Sequence, residues 1–216
     1  MTIPSQYYRR NMPHIHPDGY PLFITFRLAN SLPIQALEDL LTRRKNELSA
    51  LRDNSQAERY KIEKKYFGRY DDLLDKIANG PQWLADEAIA RIVEEEIRRL
   101  DSIRYQLFAY CIMPNHVHLL LKVLELSQAL HHGKTAKYPV TDSLRLLKGK
   151  TARLCNLYLH RNGAFWHHES YDHYVRDEQE LSRIIQYIIN NPVKAGLVQN
   201  WQDWQFTHVA PDMGNW

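Results

Sequence analysis

Two apolar runs joined by a short turn constrain the fold of this chain more than any other feature. Residues Arg104–Ile112 and His116–Leu124 are separated only by Met113-Pro114-Asn115. Two apolar segments this close together predict an antiparallel β-hairpin. The hairpin indicates an antiparallel sheet, against which the remaining elements must pack.

Further strands and helices alternate around this hairpin. The aromatic and β-branched segment Tyr20–Leu28 predicts a strand, and Phe165–Val175 is also expected to be extended. Helices are predicted over 33–51, 52–80, 86–100, 142–160 and 177–191, with a loop over 125–141 and a tail over 199–216. The last helix is expected to end at Asn191, because Pro192 disfavours helical geometry in the residue before it.

This order of elements predicts an α+β fold in which helices pack on one antiparallel sheet. We expect a single domain over residues 1–216, with a helical insertion at about 52–100 between the first two strands. The charged part of that insertion, residues 52–80, has three possible roles. It can pack on the open side of the sheet, widen a binding surface, or be an inert elaboration.

Composition excludes several classes of protein. The 216 residues are 44% hydrophobic and 25% charged, as in globular proteins. No apolar run approaches the ~20 residues of a membrane span, and residues 1–11 lack the apolar segment of a secretory signal. Cys111 and Cys155 lie far apart, which fits a reducing cytoplasm. The eight glycines form neither a P-loop nor a Rossmann fingerprint, and the net charge of +3 does not by itself indicate nucleic-acid binding.

A histidine pair begins the second strand of the predicted hairpin. His116 and His118 flank Val117, so both imidazoles face the same side of the strand. Two such imidazoles can bind a divalent cation and leave positions open for substrate. The spacing alone is weak, since a solvated hairpin face has it too. His14 and His16 repeat it beside a turn, where we interpret them as a surface segment that could touch a phosphate.

The helix predicted over 177–191 carries a second candidate group. Tyr187 and Asn191 are four residues apart and share a face, with Arg183 one turn before them. A phenol here could attack phosphorus if a metal or a nearby cation supports its ionised form. The alternative is an aromatic residue that only packs at the edge of an apolar stripe.

Basic residues cluster in two places, on the helix 142–160 and near the first strand. Phosphate oxygens need such partners, although charge clusters are also common on solvated faces. With Arg183 and the histidines of the N-terminal segment, the candidate DNA-binding residues are Arg9, Arg10, His14, His16, Arg27, Arg145, Lys148, Lys150, Arg153 and Arg183.

Four stretches in a fixed order resemble a known family. They are Tyr110–Leu121, Leu147–Asn156, Gly163–Asp177 and Tyr187–Val198, and the opening HPDGYPLFITFRL is similar as well. The chain resembles the REP-associated tyrosine transposases, which belong to the HUH superfamily of single-tyrosine transposases. The resemblance covers most of the chain apart from about residues 40–80 and the tail. It implies a ferredoxin-like α+β sandwich.

The resemblance also implies phosphoryl transfer on single-stranded DNA beside palindromic hairpins. His116, His118 and Asn191 would hold Mg²⁺ or Mn²⁺, and Tyr187 would attack the scissile phosphate to give a 5′-phosphotyrosine link and a free 3′-hydroxyl. The N-terminal arginines and histidines would contact bases next to the hairpin, and the basic helix would contact phosphates. A bacterial, cytoplasmic and nucleoid-associated protein is implied, either a monomer or a homodimer.

Two alternatives remain open at the level of sequence. One is a regulatory protein that binds DNA hairpins without catalysis. The other is a metal-dependent hydrolase that uses His116 and His118 with water, so that cleavage does not need Tyr187.

Overall fold

The computed structural model describes residues 5–9, 13–51, 55–76, 80–124 and 138–213. Short 3₁₀ turns lie at Trp83–Ala85, Trp201–Asp203 and Pro211–Met213. The strands and helices, in chain order, are β1 (Ser5–Arg9), β2 (Pro13–Pro17), β3 (Leu22–Leu28), α1 (Ile34–Ser49), α2 (Gln56–Lys76), α3 (Glu87–Leu100), β4 (Tyr105–Ile112), β5 (His116–Val123), α4 (Pro139–Tyr158), β6 (Trp166–Tyr174), α5 (Glu178–Lys194) and β7 (Thr207–Val209).

The central sheet is antiparallel, with the strand order β6-β3-β5-β4-β7. Strands β4 and β5 form the predicted hairpin, in which Cys111 pairs with His118. On the other side of β5, Thr25 of β3 pairs with the same histidine. The succession β3, α3, β4, β5, α4, β6 with this strand order is ferredoxin-like. The predicted α+β sandwich is confirmed.

The first face of the sheet is covered by α3 and α4 and is apolar. Ile24 and Phe26 of β3 and Val117 and Leu119 of β5 point to this side and are fully buried. Helix α3 places Ile89, Val93 and Ile97 against them. It begins where Asp86 accepts hydrogen bonds from the backbone N–H groups of Ala88 and Ile89.

The second face is covered by α2 and α5. Apolar residues of α5 pack on Phe23 and Leu120 of the sheet. Helix α2 inserts Phe67, whose ring stacks 4.3 Å from that of Tyr171 and meets Phe23 edge-on at 5.3 Å. Of the roles considered for residues 52–80, the described part packs on the open side of the sheet.

The predicted insertion over 52–100 therefore contains two different parts. Helix α3 is a crossover helix of the ferredoxin-like core, and its apolar side lies against the first face. Helices α1 and α2 lie outside the core succession and pair with each other through a separate apolar cluster that includes Leu40, Tyr66 and Leu74. The division into domains is not tested by this arrangement and stays a prediction.

The last helix does not end where the sequence predicts. Helix α5 continues through Pro192 to Lys194, three residues beyond Asn191. Proline removes one backbone donor, but the next turn still closes because Ala195 N–H donates to the carbonyl of Asn191. Helix α4 begins before Asp142, at Pro139, which fits the first turn because its missing N–H has no partner there. Of the predicted loop, residues 125–137 lie outside the described residues.

Three short strands were not predicted. Strand β7 pairs with β4 and forms one edge of the central sheet, and β1 pairs with β2. The interpretation of residues 14–16 as a surface segment is wrong for His16, which lies in β2 with only 3% of its surface exposed. Its Nε2 hydrogen-bonds the carboxylate of Asp172 in β6. The turn beside it suggested exposure, but pairing with β1 and contact with β6 bury this end of β2.

Other expectations concern the environment of the chain. Cys111 and Cys155 are both free and buried, so they do not form a disulfide framework. Among the helices of the described ranges, none has the length and apolarity needed to cross a membrane.

Candidate active site

His116 and His118 point from β5 to the second face, as strand alternation predicts. They are 1% and 0% exposed, and their Nε2 atoms are 3.0 Å apart. Each Nδ1 atom has its own partner: His116 Nδ1 lies 2.6 Å from the side-chain oxygen of Asn115, and His118 Nδ1 lies 2.8 Å from the hydroxyl of Thr25. These contacts fix both rings so that the Nε2 atoms converge on one point.

Burial, with the neighbouring His118, lowers the pKa of His116 to about 3. The imidazole is therefore neutral at physiological pH, which is the form that binds a metal ion.

Helix α5 brings Tyr187 against this pair. The Tyr187 ring lies 5.5 Å from the His118 ring and meets Phe23 and Phe67 edge-on at 5.9 Å each. Its hydroxyl donates a hydrogen bond to Oδ2 of Asp71. Burial, and then the charge of Asp71, raise the pKa of Tyr187 above its ordinary value. The phenol is thus held protonated beside the histidines.

Asn191 lies one turn after Tyr187, and the structure brings it to the same place. It is 1% exposed, and its Nδ2 is 3.5 Å from Oδ2 of Asp71. Its Oδ1 atom is buried and accepts no hydrogen bond from any described residue. A buried amide oxygen without a donor is uncommon in a folded protein.

Asp71 of α2 is a site residue that the sequence analysis did not identify. It is fully buried, and its Oδ1 is 3.3 Å from Nε2 of His118. With His116 and His118 it forms a group whose potential ligand atoms all lie within 4.8 Å of one another. Burial opposes its charge, but the two histidines and the Tyr187 hydroxyl together lower the pKa of Asp71, so the carboxylate is ionised.

Lys194, near the end of α5, contacts acidic residues of α2 beside the site. The sequence analysis did not identify it either. Its Nζ lies 2.8 Å from Asp72, 3.1 Å from Asp75 and 3.3 Å from Asp71. Burial opposes its charge, but these three carboxylates raise the pKa of Lys194 above its ordinary value. The extra helical turn after Pro192 carries Lys194 into this position.

A cavity of about 340 Å³ lies between α2 and α5 beside the nucleophile candidate. Tyr187 and Asp71 lie in its wall, and Lys64, Arg183 and Lys194 contribute positive charge to it. The exposed Arg183 is therefore the one predicted DNA-binding residue that the described structure places next to Tyr187.

The basic residues of α4 lie on the other side of the sheet. Arg145 and Arg153 are exposed. Lys150 forms an ion pair with Glu96 at 2.7 Å, and Lys148 donates to the backbone carbonyl of His167 at 2.7 Å. The structure does not bring this group together with Tyr187.

The interpretation of Arg27 as a surface DNA contact is wrong. Only 2% of Arg27 is exposed, and its guanidinium donates to the backbone of Leu28 and the hydroxyl of Ser31. Strand alternation puts Arg27 on the second face, under α1 and α2, where it serves the fold. Arg9 and His14 lie in β1 and β2, and Arg10 lies outside the described residues.

Comparison with solved structures shows which class of protein has this fold. A structure described as "Structure of the REP associates tyrosine transposase bound to a REP hairpin" matches with a TM-score of 0.53, covering 93% of this chain and 80% of that chain at 17% identity. At this identity the match shows the fold alone: the chain has the α+β fold of a tyrosine transposase.

Comparison of sequences finds a relative that matches half of the chain. A protein of Haemophilus influenzae (strain ATCC 51907 / DSM 11121 / KW20 / Rd), named "Putative REP-associated tyrosine transposase", is 28% identical over 110 residues, 50% of this chain. The match spans 61% of that relative's length. No family model matches the chain. The sequence match confirms the resemblance to the REP-associated tyrosine transposases, and the structural match confirms the fold that this resemblance implies.

Proposed function

We propose that this protein is a transposase-like enzyme that cleaves and rejoins single-stranded DNA next to palindromic hairpins through a 5′-phosphotyrosine intermediate. The observation that carries the proposal is the position of Tyr187, whose ring lies 5.5 Å from that of His118. A nucleophile and a metal-binding pair must lie this close to act on one phosphate. The relatives' names support the same class of activity.

The residues present fit a divalent cation. The 3.0 Å between the two histidine Nε2 atoms is about the separation of neighbouring ligands around an octahedral ion with bonds of about 2.1 Å. The Asn191 Oδ1 atom is buried without a donor and offers an oxygen ligand. We propose that His116, His118 and Asn191 hold Mn²⁺ or Mg²⁺. The bound ion would polarise the scissile phosphate as a Lewis acid.

The remaining chemistry belongs to residues of the chain. The Tyr187 oxygen forms a bond to phosphorus while the bond from phosphorus to the 3′-oxygen breaks, and the departing oxygen takes up a proton as a 3′-hydroxyl. As the Tyr187 oxygen attacks, the phenol proton passes along its hydrogen bond to Oδ2 of Asp71. Attack of a 3′-hydroxyl on the phosphotyrosine reverses the step, so rejoining needs no external energy source.

We propose that the partner is single-stranded DNA that carries a palindromic hairpin. We also propose that the protein acts in the bacterial cytoplasm, at the nucleoid. Arg183 lies beside Tyr187 and would contact a phosphate next to the scissile bond. The exposed Arg145 and Arg153 of α4 would contact more distant phosphates. Both a monomer and a homodimer fit this assignment.

The test is a search for the covalent adduct. The full-length protein is incubated with Mn²⁺ and a pool of labelled hairpin oligonucleotides with randomised flanks, and products are separated under denaturing conditions. We expect a protein–DNA adduct that Tyr187→Phe abolishes, because the phenylalanine keeps the ring and removes the nucleophile. Tyr158→Phe on the exposed side of α4 is the matched control and should leave the adduct unchanged.

Other results would replace the proposal with a specific alternative. Cleavage without an adduct that survives Tyr187→Phe indicates a metal-dependent hydrolase. Tight hairpin binding without cleavage or adduct indicates a non-catalytic regulatory protein.

A further inference from the structure

We propose that helix α2 supplies a ligand to the metal site, namely the Oδ1 atom of Asp71. The proposal deepens the proposed function and rests on it. Asp71 lies in a segment that the resemblance to transposases does not cover, so its role must be argued from the structure. Three observations carry the argument.

The first observation is a pair of buried oxygens without donors. Asp71 Oδ1 and Asn191 Oδ1 both lack a hydrogen-bond donor among the described residues, and the two side chains are at most 1% exposed. A buried polar atom left without a partner costs about 1–3 kcal/mol, and more when the group is charged. Asp71 Oδ1 lies within ligand distance of the converging histidine nitrogens, and Asn191 lies against the same carboxylate through its Nδ2 atom. A cation bound at the histidines would satisfy Asp71 Oδ1.

The second observation is the division of contacts between the two oxygens of the carboxylate. Asp71 Oδ2 accepts from the Tyr187 hydroxyl and lies 3.3 Å from the Lys194 ammonium. Oδ1 is left facing the histidine pair, 3.3 Å from Nε2 of His118. Because Oδ2 is fully engaged elsewhere, the orientation of the carboxylate is fixed and Oδ1 is directed to the site.

The third observation is that α2 is held firmly over the second face. The Phe67 ring is inserted between Phe23 and Tyr171 of the sheet. In the first turn of α5, Glu180 accepts a hydrogen bond from the Tyr60 hydroxyl of α2. Asp71 follows Phe67 by four residues and so lies on the same, inward face of the helix. The contacts that hold α2 therefore also place Asp71.

Asp71 changes the chemistry of the site. Two imidazoles alone suit zinc and other transition ions better than Mg²⁺, which prefers oxygen. Asp71 and Asn191 together would give two nitrogen and two oxygen ligands and one negative charge. This set is suited to Mn²⁺ and compatible with Mg²⁺, with coordination positions left for a phosphate oxygen and water.

The test measures Mn²⁺ affinity of the full-length protein by titration calorimetry, without DNA and without an activity readout. Asp71→Asn keeps the shape of the side chain and removes its charge. We expect it to weaken Mn²⁺ binding by at least about tenfold. Asp72→Asn is the matched control, since Asp72 is the next residue, pairs with Lys194 and is 46% exposed. The Mn²⁺ affinity of the Asp72→Asn variant should stay within about twofold of that of the wild type.

The outcomes separate this proposal from the proposed function. If His118→Ala abolishes Mn²⁺ binding while Asp71→Asn binds like the wild type, the metal site stands and Asp71 is not a ligand. Equal weakening by Asp71→Asn and Asp72→Asn also overturns the proposal, because general loss of negative charge then explains the effect. A wild type that binds no Mn²⁺ overturns it together with the metal-dependent function.

A second measurement keeps the proposal testable if Asp71→Asn does not fold. In wild-type protein labelled with ¹³C at the aspartate carboxyl groups, electron–nuclear double resonance of bound Mn²⁺ reports directly bound carboxylates. We expect a ¹³C coupling of the size of a first-sphere ligand. Its absence, with Mn²⁺ bound, overturns the proposal.

Discussion

The two faces of the central sheet are built from alternate residues of the same strands, yet they differ in character. On β3, Ile24 points to the first face and packs in an apolar cluster, whereas Thr25 points to the second face and hydrogen-bonds His118. Both residues are 0% exposed. One face thus holds the fold together by apolar burial, and the other buries polar groups, each of which needs a specific partner.

A ferredoxin-like sheet can therefore carry a polar site on one face while the other face keeps an apolar core. Helices α3 and α4 cover the first face, and the apolar core that they form with the sheet does not depend on the residues of the second face. The second face needs α2 and α5 to bring Asp71 and Tyr187 to the histidines. Four predictions test this separation of the two faces, in decreasing order of expected effect.

Shortening a buried side chain on the first face should have the largest effect on stability and should leave metal binding at the site unchanged. We expect Ile24→Ala to lower the free energy of unfolding by about 2–5 kcal/mol, because it leaves a cavity in a closely packed core. Urea unfolding measures the loss. The Mn²⁺ affinity of the folded fraction should be unchanged, and a tenfold change in it would mean that the two faces are not independent.

The neighbouring residue on the second face should show the opposite pattern. Thr25→Val keeps the shape of the side chain but removes the hydroxyl 2.8 Å from His118 Nδ1. Loss of such an outer partner is expected to weaken Mn²⁺ binding by about 10–100-fold. Titration calorimetry measures the Mn²⁺ affinity of the variant, and circular dichroism shows whether the variant is folded. If Thr25→Val and Ile24→Ala weaken Mn²⁺ binding to the same extent, the two faces do not have separate roles.

Acid should destabilise the protein through the half-buried His167 at the second face. Burial, and then the nearby Arg27, lower the pKa of His167 to about 4, below the ordinary 6.5. The unfolded chain therefore takes up a proton below pH 6.5 that the folded chain does not take up until about pH 4, so stability falls as the pH drops through this window.

We expect His167→Gln to reduce the loss of stability between pH 7 and pH 5 by on the order of 1 kcal/mol. The measurement is the urea midpoint of the metal-free protein at the two pH values. An equal loss in wild type and variant would show that protonation of His167 is not linked to folding.

The smallest effect concerns DNA phosphates on the two sides of the sheet. Arg183 lies beside Tyr187, and Arg153 is exposed on α4 across the sheet. We expect Arg183→Ala to lower hairpin affinity and to reduce the slope of log affinity against log salt by about 1, with a smaller change for Arg153→Ala. The reverse order would mean that the DNA runs mainly over the first face.

Local geometry explains why His116, His118, Tyr187 and Asn191 were predictable from the sequence. The strand period places His116 and His118 on one side, and the helical i, i+4 relation places Tyr187 beside Asn191. Both relations lie within one element and need no knowledge of the packing. The antiparallel hairpin followed from spacing in the same way.

Asp71 and Lys194 depend on packing between distant elements, and this is why they were missed. Asp71 lies among many charged residues of α2, and only its i, i+4 relation to Phe67 signalled an inward face. Lys194 stood beyond a proline that favoured an earlier helix end, so its helical placement was not expected. The burial of Arg27 and His16 was missed for the same reason, because α2 and β1 cover them from other parts of the chain.

Burial of the site also has a thermodynamic consequence for the proposed DNA substrate. His116, His118, Asp71 and Asn191 are each at most 1% exposed, so a phosphate can touch them only after protein atoms have moved aside. The measured affinity for DNA is then the intrinsic affinity multiplied by the fraction of molecules that are open, and an open fraction of about 1% weakens binding about a hundredfold. Substitutions that loosen α2 without touching DNA would tighten its binding, since they raise the population that can receive it.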